Sequence, residues 1–155
     1  MRILVYSQQG GLGGSTRLLL NLARHLGRAH DVTVALGGSP SAEATRALLA
    51  HFGDLRVEPA QRERLTAEAW DVALLHLPFR PDWSAELAAP RKVAVIMELA
   101  GHHAPVITET LATRFERILY LHPEQVTQLS DTTAAERCLR LPIINNIDFT
   151  PAFGK

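Results

Sequence analysis

The chain has 155 residues, and its sixteen Lys and Arg balance sixteen Asp and Glu, so the formal net charge is zero. A length near ~100–150 residues with 46% apolar and 21% charged side chains describes one globular domain and excludes disorder or a fibrous repeat as the organising feature. The balanced charge lacks the basic excess of a nucleic-acid binder, and the single Cys138 excludes an intramolecular disulfide and a cysteine-cluster metal site.

In chain order, Ile3 to Tyr6 is β-rich and runs into the glycine cluster Gly10-Gly11-Leu12-Gly13-Gly14. Polar and glycine residues arrive too soon for a signal peptide. No apolar run nears the ~20 residues of a membrane span, so a cytoplasmic protein is expected. A helix pattern follows from Ser15 to about Leu26, with Ser15 or Thr16 able to cap it. Its polar stripe is Arg17, Asn21, Arg24 and Arg28, and Leu18, Leu19, Leu22, Ala23 and Leu26 lie opposite. The stripe is read as a solvated face, with a membrane surface or polyanionic acceptor as the alternative contact.

Asp31 to Leu36 is a second strand, Ser41 to Phe52 a helix, Leu55 to Val57 a short strand, and Gln61 to Trp70 a charged helix. Asp71 to Leu77 and Lys92 to Met97 are nearly all apolar, as strands of a parallel sheet covered on both faces should be. Pro105 to Phe115 reads as a helix, Arg117 to Leu121 as a strand, Pro123 to Leu129 as a short helix and Arg137 to Leu141 as a last strand. The alternation predicts an α/β fold, a doubly wound Rossmann-like parallel sheet of about six to seven strands with helices on both faces.

In such a sheet ligands bind beyond the carboxyl ends of the strands. The first loop there is Ser7 to Thr16, where glycines allow close backbone approach and the helix that follows favours an anion. Four glycines in five residues exceed what a turn needs, and Gly11, Gly13, Gly14 and Ser15 are the candidate substrate-binding residues. A dinucleotide fingerprint fits poorly, because Thr16 stands at its third glycine and Leu36-Gly37-Gly38 offers no acid after the second strand. The stretch resembles the deviant P-loop of ParA/MinD ATPases more closely. Gly14 nevertheless stands at one lysine position, and Gln8 and Gln9 stand at the other.

A third resemblance covers the whole chain. Gly13-Gly14-Ser15-Thr16 with the Leu-rich helix through Leu26 resembles the first loop and helix of two-domain retaining glycosyltransferases, the GT-B fold of the family 4 type. Arg28 to Val34 resembles the family's Arg-Gly-His-Glu-Val-Thr-Val strand entry, and Asp71 to Pro78 its fourth strand, which often ends in His. Leu141 to Phe153 resembles the hinge motif Ile-Pro-Asn-Gly-Ile-Asp followed by Phe. The departures are Thr16 for an acidic or amide residue, Ile144 and Asn146 for the hinge Pro and Gly, and Met97 or Glu98 where a His commonly ends the fifth strand.

The resemblance implies a Rossmann-like acceptor-side domain over residues 1–142 and the start of an interdomain hinge over 143–155, with the C-terminal donor-binding domain as its partner. It implies strand order 3-2-1-4-5-6 with the last strand beyond the sixth. The full enzyme would move a sugar from a nucleotide-sugar, its donor substrate, to an acceptor hydroxyl of a sugar, lipid or small molecule with retention. No cofactor and no metal are expected, and the isolated half should be inactive. The alternatives are a ParA/MinD-like nucleotide-binding regulator with a degenerate P-loop and a non-catalytic Rossmann-like interaction module.

Other polar residues fall on the same edge. Glu98 is a candidate catalytic carboxylate or a capping acid. His102 and His103 are candidates for orienting a hydroxyl or moving a proton, or are a solvated loop pair. His76 either faces the cleft as a substrate-binding residue or caps a buried strand. His122 reads as structural, and His25, His30 and His51 as surface residues.

Overall fold

The computed structural model describes residues 1–8, 13–38, 50–76, 86–97, 114–125 and 136–141. Among these residues seven strands form one sheet: β1 (Arg2–Ser7), β2 (Asp31–Leu36), β3 (Arg56–Pro59), β4 (Val72–His76), β5 (Arg91–Ile96), β6 (Arg117–Tyr120) and β7 (Cys138–Arg140). Their order is β3-β2-β1-β4-β5-β6-β7 and every pairing is parallel, which makes this the expected Rossmann-like α/β sheet. Helix α1 (Gly14–Gly27) links β1 to β2, and α2 (Arg62–Ala67) lies between β3 and β4.

Two-residue alternation splits the core between the faces. Ile3 and Val5 of β1 join Val32, Val34 and the α1 residues Leu19, Leu20 and Ala23 in one apolar cluster. Leu4 and Tyr6 join Ala35, Ala73, Leu75 and Ile96 with Leu65 of α2 in the other. The two clusters place α1 and α2 on opposite faces. Both faces are therefore covered, which is why the central strands read as unbroken apolar runs.

Polar contacts at both ends bind β1 to β4. At the amino end the Arg2 amide donates to Asp71 at 2.7 Å. The Arg2 guanidinium donates to Glu68 at 2.6 Å and lies 5.0 Å over the Trp70 ring. At the carboxyl end Ser7 is hydrogen-bonded to His76, residues in direct register.

The structure corrects several local expectations. Helix α2 stops at Ala67 rather than Trp70, because Glu68 is extended and Ala69 bridges Ala88. Trp70 then turns under α2, buried, and its indole donates to the Leu65 carbonyl at 3.0 Å. Strand β3 runs on to Pro59, which an edge strand tolerates despite the missing N–H. The described part of the helix expected after Pro123 is a single 3-10 turn, Pro123–Gln125. Ala50, His51 and Arg114 are helical, and the rest of the helices expected at 41–52 and 105–115 lies outside the described residues. Among the described residues no helix is long and apolar enough to cross a membrane.

Candidate functional site at the carboxyl edge of the sheet

The carboxyl ends of β1 and β4 meet at Ser7 and His76, each fully buried and joined from Ser7 Oγ to His76 Nδ1 at 3.0 Å. Each polar residue closes an apolar run, Ile3–Tyr6 in one strand and Val72–Leu75 in the other. Parallel pairing puts the two run ends side by side. The His76 ring is therefore covered by protein, and a substrate would feel it through its neighbours.

Ser7 also fixes β2. Its carbonyl accepts from the Gly37 amide at 2.6 Å. A β-carbon on Gly37 would sit 2.7 Å from the Gln8 carbonyl oxygen, so only glycine lets these two strand ends close together. The next residue, Gly38, has φ 76°, the left-handed region where glycine carries no steric cost.

Helix α1 opens at the same edge. Its N-cap is Gly13 in extended backbone, with no side-chain cap, which corrects the expectation that Ser15 or Thr16 fills that role. Gly13 and Gly14 are exposed and Ser15 is half-buried. The first-turn amides of a helix have no intrahelical acceptor and carry a partial positive charge. No acid stands in this first turn to compete for them. Thr16, three residues past the cap, points into the protein and is 1% exposed, and among the described residues its hydroxyl finds no hydrogen-bond partner.

The remaining polar candidates divide by position. Met97 follows β5 and packs on the α1-side cluster. Glu98, His102, His103 and Gly11 lie outside the described residues, as does Asn146 of the hinge motif. His122 is exposed, while its amide and that of Leu121 donate to the Gln125 carboxamide at 2.9 and 2.8 Å. Gln125 is buried and closes the carboxyl end of β6, a role the sequence did not signal. His25 and His51 are exposed and His30 half-buried. Burial pushes the Cys138 thiol up, with Arg137 opposing, so it is not an activated nucleophile. Burial likewise raises the Tyr6 phenol, which stays neutral beneath the sheet edge. Among the described residues no group of three His, Cys, Asp or Glu side chains could hold a metal ion.

Sequence reasoning did not single out Ser7 or Thr16, two other buried polar residues near this edge. A usable signal existed for Ser7 and His76, since each is the polar residue that ends an apolar strand. Thr16 had a weaker one, because its spacing of three and four to Leu19 and Leu20 puts it on the buried side of α1. Among the described residues the edge combines a helix terminus without a side-chain cap, of the kind that suits an oxyanion, with the hydrogen-bonded buried pair Ser7 and His76. No family model matches the chain, and no curated protein or solved structure matches it.

Proposed function

We propose that the chain is the acceptor-binding half of a retaining glycosyltransferase that uses a nucleotide-sugar donor. The observation that carries this reading is an adjacency. The glycine-led start of α1 and the His-terminated β4 are two of the stretches that resemble that family, and the strand that precedes α1, β1, pairs with β4 so that their carboxyl ends share one edge of the sheet. An acceptor hydroxyl would be bound at this edge, facing a donor held by a second domain.

In that arrangement the transition state lies between two halves. Preorganised donors around the departing diphosphate are the largest electrostatic contribution, and losing one such donor alone costs ~10²–10³ in rate. Without the donor half the reactants also lose their mutual positioning. Transfer therefore needs both halves, while acceptor binding needs this one.

The test is to titrate the 155-residue chain with a panel of nucleotide-sugars by calorimetry and to assay products. The expected result is weak binding and no transfer. Micromolar nucleotide-sugar affinity, or any turnover, would show a complete donor site in this chain and remove the half-enzyme reading. Saturable ATP binding that requires magnesium would instead favour the P-loop regulator.

A further inference from the structure

We draw no further inference here: the strongest candidate, the apolar strip of Val93, Leu119, Leu121 and the exposed Leu139 on the α1-side face of β5, β6 and β7, carries nothing because no described residue shows what covers it.

Discussion

Two glycines at the same sheet edge have opposite reasons for being glycine, and single substitutions separate them. Among the described residues nothing lies within 4 Å of a β-carbon on Gly14, in the first turn of α1. Gly14→Ala should therefore stabilise the unliganded chain by roughly 0.5–1 kcal/mol through backbone entropy and helix propensity. For a chain of this size that is a rise of about 1–4 °C in melting temperature. A fall would mean that the space around Gly14 is filled in solution. Gly37 is the reverse, since its β-carbon would press on backbone atoms of Gln8 at 2.7 and 3.1 Å. Backbone cannot move aside as a flexible side chain can. Gly37→Ala should cost about 1–3 kcal/mol, the range for overpacking, read as a lower urea midpoint at unchanged slope. An unaltered midpoint would show that the ends of β1 and β2 separate freely.

At the level of elements, α1 is held by more than its apolar stripe. The Arg24 guanidinium grips Asp54 with two bonds of 2.8 Å, donates to the His51 carbonyl at 2.7 Å and stacks 4.6 Å over Phe52. Arg24 thus clasps α1 to the turn before β3, whereas the sequence placed it on a merely solvated stripe. The Arg24 side-chain bond holds the Asp54 carboxyl below its usual range, against a small desolvation cost. With the folded value depressed, the stabilisation is complete above the unfolded value near ~4 and is lost as pH falls through the folded one. The pair is exposed, so its worth is about 0.2–1 kcal/mol. Asp54→Asn should lower stability by that amount at pH 7 and by less at pH 3, measured by urea unfolding at both. An equal loss at both would assign the effect to the turn and not to the charge.

The same elements show what periodicity can and cannot disclose. Asp31–Leu36 was legible to the residue, because an apolar run bounded by charge and glycine has one reading. The end of α2 was not, because the residue that breaks the pattern, Trp70, is apolar and fits a helix face as well as it fits the core beneath one. Ser15 or Thr16 is the expected cap because hydroxyl residues favour helix starts. The cap is Gly13, two and three residues before them, a glycine that needs no side chain to serve.

For the whole molecule, strand order and two-sided burial followed from the alternation of apolar runs with amphipathic segments and from the resemblance that implied the order. The edge proposed as the substrate site was legible as a place, since parallel strands bring their carboxyl ends together. Its buried members were less so: Ser7 and His76 are 69 residues apart, and only the register of β1 against β4 joins them. That separation bears on how the protein is made. Of the seven strands β1 is synthesised first and ends up third in the sheet, with β2 on one side and β4 on the other. Its pairing with β2 can form early, but the edge that β4 will cover must wait until residues 72–76 have left the ribosome. At ~5–20 residues per second the wait is on the order of several seconds. Throughout it an apolar strand edge stays open to mispairing, and long-range parallel contacts of this kind are slow to close even once the chain is complete. The newborn chain thus passes through a stage in which its own sheet does not yet shield the edge of β1 that β4 will cover.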